Sequence, residues 1–270
     1  MSSFNKLYCM DAKIERIYKC CKAFLGADAS QVSKFSQLSI YPTFLFDGYP
    51  GTGKSSVANI VYEKLKREHN IDIKRLNVDE LISHNFGESS SNLRDYFNSI
   101  NEEIEKNKSY CFIVMDEVDS FTTSRYQNDN ESIKRILLTF NLIIDELVRS
   151  KQIYRYIIIA TTNVKDNIDT SVLRRFFFNE DFNIELDKLS LNKFLKELSE
   201  LTGLYLEEKL IDQIFDDYIK RKHTLGEIKS IFSKSYMKKL ISESREGLSK
   251  NLFLEHNTFY EITQRQKQGG

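Results

Sequence analysis

The sequence predicts an α/β fold, an αβα sandwich around a five-stranded parallel sheet that is followed by a small all-helical domain. Between residues 41 and 187, short apolar segments alternate with amphipathic helical segments, which is typical of a parallel sheet buried on both faces. A glycine-rich loop at residues 48–55 joins the first apolar segment to a helix. After about Leu186 the apolar strands stop and amphipathic helices follow one another, so the domain boundary is predicted there.

The predicted strands are short and apolar. They are Thr43–Phe46, Ile73–Val78, Tyr110–Met115, Tyr156–Thr161 and Phe182–Leu186. Helical spacing of apolar residues predicts the helices, which are Asp11–Leu25, Ser55–Asn70, Ser91–Lys108, Glu131–Ser150, Leu191–Leu201, Leu206–Lys222 and Thr224–Glu246. The predicted domains are an N-terminal amphipathic helix and linker (1–40), the sandwich (41–187), the helical domain (188–250) and a C-terminal tail (251–270), which we expect to be disordered from Gln264 onward.

Composition and charge exclude several classes of protein. Basic and acidic residues number 39 each, so the formal net charge is zero, which argues against a nucleic acid or an anionic membrane as partner. The four cysteines match no zinc or disulfide spacing and are interpreted as reduced thiols. Residues 1–10 lack the pattern of a signal peptide, and no apolar stretch is long enough to span a bilayer. These features predict a cytoplasmic protein.

The first functional motif is the loop Gly48-Tyr49-Pro50-Gly51-Thr52-Gly53-Lys54-Ser55. Its glycines let backbone N–H groups surround phosphate oxygens, and the helix that follows adds the positive end of its dipole. Lys54 is expected to reach the β- and γ-phosphates, while Ser55 would ligate Mg²⁺. Ser56 is a further candidate for nucleotide binding. The pattern therefore predicts a P-loop NTPase fold, with a chance glycine-rich turn as the alternative.

The second motif is Asp116-Glu117, which ends the apolar strand that begins near Cys111. A buried strand that ends in two acids is the expected partner of a phosphate loop. Asp116 would hold Mg²⁺ directly or through water, and Glu117 would act as the general base for the attacking water. The alternative is a solvated turn with no catalytic role.

Two further features follow the next apolar strand. Asn163 ends that strand, where it would contact the γ-phosphate or orient the attacking water; as an alternative, asparagine is a common turn former. Arg174 and Arg175 precede an apolar run and could stabilise charge on a transferring phosphoryl group. The alternative for the arginines is a solvated basic pair, or a salt bridge to Glu180 or Asp181.

In this order, the four features resemble the AAA family of ATPases over roughly residues 40–245. The segment Ala160-Thr161-Thr162-Asn163, followed by Asp169, looks like the family's sensor 1 motif, which places sensor 1 at Asn163. The resemblance implies that Arg174 and Arg175 are fingers that complete the ATP site of a neighbouring subunit. The form Arg174-Arg175-Phe176 resembles the spastin and katanin group, and the chain is more loosely similar to remodellers of HORMA-domain proteins.

The resemblance also assigns residues outside these motifs. Asn77 matches a position whose asparagine restrains the catalytic glutamate, here Glu117. Asn85 and Phe86 match the pore loop, although the family usually has an aromatic residue at the position of Asn85. Gly226 lies in a segment that looks like the turn approaching the nucleotide from the lid domain, which the predicted helices of 188–250 resemble. No sensor 2 arginine is apparent there.

The resemblance implies an ATP-hydrolysing motor that remodels, unfolds or disassembles a protein partner. Its implied cofactors are ATP and Mg²⁺, and its implied assembly is a ring, most simply a hexamer, with ATP sites shared between subunits. Substrate choice would rest on the helix at 11–25, on an adaptor or on the pore. Two alternatives remain: a slow ATPase that acts as a nucleotide-dependent switch or scaffold, and a DNA-linked ATPase similar to clamp loaders, which the neutral charge disfavours.

Overall fold

The structure is a computed structural model that describes residues 7–77, 88–119, 130–242, 253 and 256–268. The strands are β1 (Thr43–Asp47), β2 (Ile71–Asn77), β3 (Tyr110–Asp116), β4 (Tyr156–Thr162) and β5 (Phe178–Asp181). The α-helices are α1 (Asp11–Leu25), α2 (Ala29–Gln37), α3 (Lys54–Lys66), α4 (Glu88–Asn107), α5 (Asn130–Arg149), α6 (Thr170–Leu173), α7 (Lys188–Thr202), α8 (Glu208–Arg221), α9 (Leu225–Ser242) and α10 (Phe259–Gln268). Asn85 and Phe86, the predicted pore loop, lie outside the described residues.

The strands form one sheet in the order β2-β3-β4-β1-β5, and every neighbouring pair is parallel. This confirms the predicted α/β fold with its five-stranded parallel sheet. The central strand β4 is buried along its whole length, because helices cover a parallel sheet on both faces. The carboxyl ends of β1, β3 and β4 lie at one edge of the sheet, which is where open α/β sheets bind ligands.

The chain forms two compact units. The sheet unit comprises Met1–Gly48 and Lys54–Asp181, and the helical unit comprises Tyr49–Gly53 and Phe182–Gly270. The phosphate loop is thus divided between them, since its tip packs with helical residues far away in sequence. Within the described residues, no helix has the length and apolar character that crossing a bilayer requires.

Helix α1 packs inside the sheet unit. Its apolar face is buried, including Ile17 and Cys21, and its polar face forms an ion pair between Glu15 and Lys64 of α3 at 2.6 Å. Arg16 pairs with Glu180 of β5, a carboxylate that is only 4% exposed. Because the apolar face of α1 is used within its own unit, any partner of this helix must be recognised through its remaining polar surface.

Three local differences from the sequence prediction concern segments with mixed polarity. The last strand is Phe178–Asp181 instead of Phe182–Leu186; the latter segment alternates buried and exposed residues without belonging to the sheet. Residues assigned to a linker form α2, which begins at an Asp28 capping box. The expected disorder from Gln264 is wrong as far as Gln268, because α10 extends to that residue.

The helical unit is held together at the C-terminal end of α8 by Arg221. Its guanidinium binds both carboxylate oxygens of Glu261, at 2.8 Å each, and donates to the carbonyl oxygens of Phe253 at 2.7 Å and His256 at 2.5 Å. The Thr258 hydroxyl donates a hydrogen bond to the Arg221 carbonyl oxygen at 2.8 Å. These contacts attach α10 and the segment before it to the rest of the unit.

Candidate active site

Lys54 begins α3 and is buried, with 7% of the residue exposed. Its ammonium group donates to the carbonyl oxygen of Gly48 and, at 2.9 Å, to Oδ1 of Asn163. Burial lowers the pKa of Lys54 to about 8, and the carboxylates of Asp119 and Asp47 oppose that shift. The structure therefore brings together the lysine of the phosphate loop and the predicted sensor residue, at the carboxyl edge of the sheet.

The tip of the phosphate loop packs closely against the start of α9, inside the helical unit. The N–H of Gly226 donates to the carbonyl oxygen of Gly51 at 3.1 Å, and the Thr224 hydroxyl donates to that of Pro50 at 3.0 Å. A Cβ atom on Gly226 would lie 2.5 Å from the Cα of Gly51, whose φ of +81° also favours glycine. Both positions therefore require glycine, and Gly226 lies beside Gly51 of the phosphate loop.

Tyr49, at the start of the same tip, makes further contacts within the helical unit. Its backbone N–H donates to Oδ1 of Asn183 at 2.8 Å, and its ring centroid lies 5.6 Å from that of Phe259 and 6.2 Å from that of Tyr260. The last two residues belong to α10. The C-terminal helix therefore contacts the phosphate loop, a relationship that the sequence analysis missed because it treated this region as a tail.

The two acids lie at the end of β3, next to α3. Oδ1 of Asp116 accepts hydrogen bonds from the Ser55 hydroxyl at 2.8 Å and from the Thr161 hydroxyl at 3.0 Å. Its other oxygen lies 3.4 Å from the Arg75 guanidinium. Glu117 is exposed and adopts a left-handed backbone conformation, with φ of 56°. Residues from three separate motifs thus bring their side-chain oxygen atoms together at this point.

This group of side chains fits Mg²⁺ and a nucleotide. A hydroxyl and a carboxylate oxygen lie 2.8 Å apart, and Mg²⁺ is usually held by one or two such protein oxygens together with waters and phosphates. Across the described ranges, no cluster of three or more His, Cys, Asp and Glu side chains is placed to hold a metal ion. The adjacent buried Lys54 supplies the positive charge that phosphates require.

Asp119 is a site residue that the sequence analysis did not single out. It accepts the backbone N–H of Asn163 at 3.3 Å, and among nearby charges it is the one that most favours the protonated form of Lys54. It lies two residues after Glu117, so the acidic run Asp116-Glu117-Val118-Asp119 was the signal available in the sequence. Thr161 lies within the motif that leads to Asn163, and its hydroxyl contacts the carboxylate of Asp116 and the backbone N–H of Glu117.

The two arginines do not join this group. Arg175 is held by Asp145 of α5, at 2.7 Å, and by the carbonyl oxygen of Ser171 at 3.0 Å. Arg174 is exposed and makes no side-chain hydrogen bond or ion pair within the part of the chain that the structure describes. Asn77 pairs with Asp116 through the strand register, but its side chain lies outside what the structure describes.

Comparison with known proteins identifies the family. The sequence profile of the ATPase family associated with various cellular activities (AAA) matches residues 44–186, which include the phosphate loop, both acids, Asn163 and both arginines. This chain belongs to the AAA family. Membership accounts for the sheet order and supports nucleotide binding and ATP hydrolysis as the general activity of this chain.

Among AAA relatives, the ATP-dependent zinc metalloprotease FtsH of Parabacteroides distasonis is 29% identical over 183 residues, which are 67% of this chain and 25% of that protein. The pachytene checkpoint protein 2 homolog of Danio rerio is 29% identical over 164 residues, which are 58% of this chain and 38% of that protein. This chain therefore spans well under half the length of these curated relatives.

A solved structure extends the likeness of fold beyond the AAA profile. A chain of the HORMA:CdnC:Trip13 complex from E. coli MS115-1 superposes with a TM-score of 0.69, covering 92% of this chain and 87% of that chain. The two sequences are 17% identical, so the likeness concerns the fold alone. It includes the helical region after β5 as well as the sheet.

Proposed function

We propose that this chain is an ATP-driven motor that remodels a protein partner, with nucleotide sites completed by a neighbouring copy of the chain. The observation that carries this proposal is that the predicted residues lie in two different places. Lys54, Ser55 and Asp116 meet at the edge of the sheet together with Asn163, whereas Arg174 is exposed and outside that group. An arginine placed in this way serves a second copy better than its own.

Each residue of the site has a proposed role in hydrolysis. Lys54 binds the β- and γ-phosphates, while Ser55 and Asp116 hold Mg²⁺, which neutralises phosphate charge when bound. Glu117, which is exposed, takes a proton from the attacking water. Asn163 accepts a hydrogen bond from Lys54 and orients the water or the γ-phosphate. The products are ADP and phosphate.

The surface around Arg174 supports contact with a second copy. Leu138 and Leu142 are one helical turn apart on α5 and are 62% and 40% exposed. Asn141 of the same helix donates to the Ser171 hydroxyl of α6 at 2.9 Å, so α5 contacts the short helix that precedes Arg174. Exposed apolar residues on α5 and an exposed arginine after α6 suit an interface in which the arginine reaches a phosphate.

The shared site is tested by mixing two inactive variants. Glu117→Gln and Arg174→Ala should each abolish ATP hydrolysis alone. At equal amounts, about a quarter of the sites in a mixed ring combine an intact Glu117 with a neighbour's intact Arg174, so part of the activity returns. Arg67→Ala, which removes an exposed arginine just after α3, is the control and should remain active alone. If mixing restores nothing, each site is self-contained.

Concentration dependence provides a second, independent measurement. The rate per subunit should rise with protein concentration, and light scattering should show assembly over the same range. A constant rate per subunit from a monomer would contradict the shared site while leaving hydrolysis itself intact. The complete absence of ATP hydrolysis at every concentration would contradict the enzymatic activity as a whole.

For the partner, we propose a HORMA-domain protein as the first candidate. Support comes from the superposition on one chain of the HORMA:CdnC:Trip13 complex. The test is ATP-dependent change in the protease sensitivity of a purified HORMA protein, with wild-type chain and with Glu117→Gln. A motor needs hydrolysis and fails with the variant, whereas a variant that acts as well as wild type would favour the nucleotide-dependent switch.

A further inference from the structure

Thr161 lies at the carboxyl end of β4, two residues before Asn163, and is 2% exposed. Its hydroxyl donates to Oδ1 of Asp116 at 3.0 Å and accepts the backbone N–H of Glu117 at 3.2 Å. A hydroxyl can make both hydrogen bonds at once, because it has one donor and two acceptor lone pairs. One buried side chain therefore contacts both of the acids on which hydrolysis depends.

The backbone conformation at Glu117 is uncommon, and Thr161 contacts the chain on both sides of this residue. The register of β3 and β4 ends with the pair Met115 and Ala160, and Glu117 then adopts a φ of 56°, which side-chain-bearing residues rarely do. The Thr161 carbonyl oxygen accepts the N–H of Val118 at 2.9 Å. Thr161 thus holds the turn after β3 with its main chain and its side chain together.

The same hydroxyl defines the orientation of the Asp116 carboxylate. Ser55 and Thr161 both donate to Oδ1, at 2.8 Å and 3.0 Å, and they approach it from α3 and from β4. Two donors from different elements restrict rotation of the carboxylate more than one donor would. This restriction keeps Asp116 in a position to bind a metal ion beside Ser55.

We propose that Thr161 is a positioning residue, whose hydroxyl holds the carboxylate of Asp116 and the backbone of Glu117 in one arrangement. The inference rests on the proposed hydrolysis site and deepens it. Thr161 acts through the two acids and does not itself contact the nucleotide. It links β4, which Asn163 follows, to the end of β3, where the two acids lie.

The test compares variants that differ in the hydroxyl group. Thr161→Val removes the hydroxyl with little change in volume, and Thr161→Ser retains it. Thr43→Val is the matched control, because Thr43 is also a buried strand threonine, 1% exposed, whose hydroxyl accepts the backbone N–H of Phe177 at 3.0 Å. Thr161→Ala is a second variant without the hydroxyl, for use if the valine variant does not fold.

The expected loss is in kcat and in the response to Mg²⁺. Thr161→Val should lower kcat by about ten- to hundredfold, the usual effect of removing a group that orients a metal ligand, while KM for ATP at saturating Mg²⁺ stays close to wild type. The Mg²⁺ concentration that half-saturates ATP binding should rise. ATP binding in EDTA should be unchanged, and Thr161→Ser should recover most of the lost activity.

Two results would overturn the proposal. One is a wild-type kcat and Mg²⁺ response in both variants that lack the hydroxyl; the other is a loss that Thr161→Ser shares in full or that Thr43→Val reproduces. If the wild-type protein hydrolyses no ATP, the proposed function fails, and Thr161 is then judged by the Mg²⁺ dependence of ATP binding alone. The two proposals can therefore fail separately.

Discussion

Arg175 and Asp145 form an ion pair with a nitrogen–oxygen distance of 2.7 Å, which joins the segment after α6 to α5. Only 21% of the Arg175 side chain is exposed, and its second contact is the Ser171 carbonyl oxygen at 3.0 Å. Its neighbour Arg174 is exposed. Two adjacent arginines that look equivalent in the sequence therefore have different surroundings, and they should respond differently to substitution.

Arg174→Ala should abolish ATP hydrolysis without changing the free energy of unfolding. Arg175→Ala should instead lower that free energy by about 1–3 kcal/mol, because hydrogen bonds to a charged group are lost inside the subunit. Thermal unfolding and ATPase rates measured on both variants check this difference. Equal destabilisation by the two substitutions, or full activity of Arg174→Ala, would contradict the assignment of Arg174 as the residue that acts on a neighbour.

ATP binding should be coupled to protonation of Lys54. Burial lowers the pKa of this ammonium to about 8, so about half of the unliganded protein carries a neutral lysine at pH 8, and bound phosphates raise the pKa again. We therefore expect proton uptake on ATP binding that increases between pH 7.5 and pH 9, and an affinity that falls above pH 8. Calorimetry in buffers of different ionisation enthalpy measures both; binding without proton uptake at pH 9 would contradict the prediction.

Gly226→Ala should weaken ATP binding and destabilise the helical unit. The added Cβ would lie 2.5 Å from the Cα of Gly51 and 2.7 Å from its carbonyl oxygen, so backbone atoms of the phosphate loop must move. Overpacking of this kind costs about 1–3 kcal/mol. The matched control is Gly26→Ala, where the nearest atom to the new Cβ is 3.4 Å away. Equal ATP affinity for the two variants would show that the loop tolerates displacement.

Glu261→Gln should weaken the attachment of α10 to the rest of the helical unit and lower the free energy of unfolding. Hydrogen bonding from Arg221, the largest cause, lowers the pKa of Glu261 to about 2, against 4.5 for a free glutamate. A lowered pKa stabilises the folded state above pH 4.5, and that stabilisation disappears as the pH falls from 4.5 to 2. At pH 7 the variant should lose about 1–3 kcal/mol, and by pH 2 wild type and variant should converge.

Amide hydrogen exchange of residues 259–268 and thermal unfolding across this pH range provide the measurement for Glu261→Gln. Glu63→Gln is the control, because Glu63 is exposed on α3. This substitution should leave the free energy of unfolding unchanged at every pH. A constant difference between wild type and Glu261→Gln from pH 7 to pH 2 would mean that the carboxylate charge is not what holds α10.

Much of the site could be predicted from sequence because its residues follow strands directly. Lys54 and Ser55 follow β1, Asp116 and Glu117 close β3, and Asn163 follows β4. Parallel strands place all their carboxyl ends at one edge, so the alternation of strands and helices was enough to bring these residues together. The contacts of Thr161 and Asp119 were missed, since a hydroxyl at a strand end or a third acid shortly after a strand has no distinctive pattern of its own.

The elements that sequence analysis misplaced are those whose polarity is explained only by distant partners. Strand β5 contains the buried Glu180, which pairs with Arg16 of α1, so its pattern does not look like that of a buried strand. Helix α10 is polar over most of its length and depends on Glu261 binding Arg221. Local periodicity cannot reveal either pairing, because the partners are more than thirty residues away.

By itself, the sequence determined the α/β class, the phosphate loop and the order of the site residues, because these depend on local pattern and on the geometry common to all parallel sheets. Only the tertiary structure decided that Arg175 is bound within its own subunit, that Tyr49 contacts α10, and that the Thr161 hydroxyl contacts Asp116 and the backbone of Glu117. Each of these relationships joins segments through side-chain hydrogen bonds or ring contacts. Such contacts form only once the chain has folded and brought distant elements together.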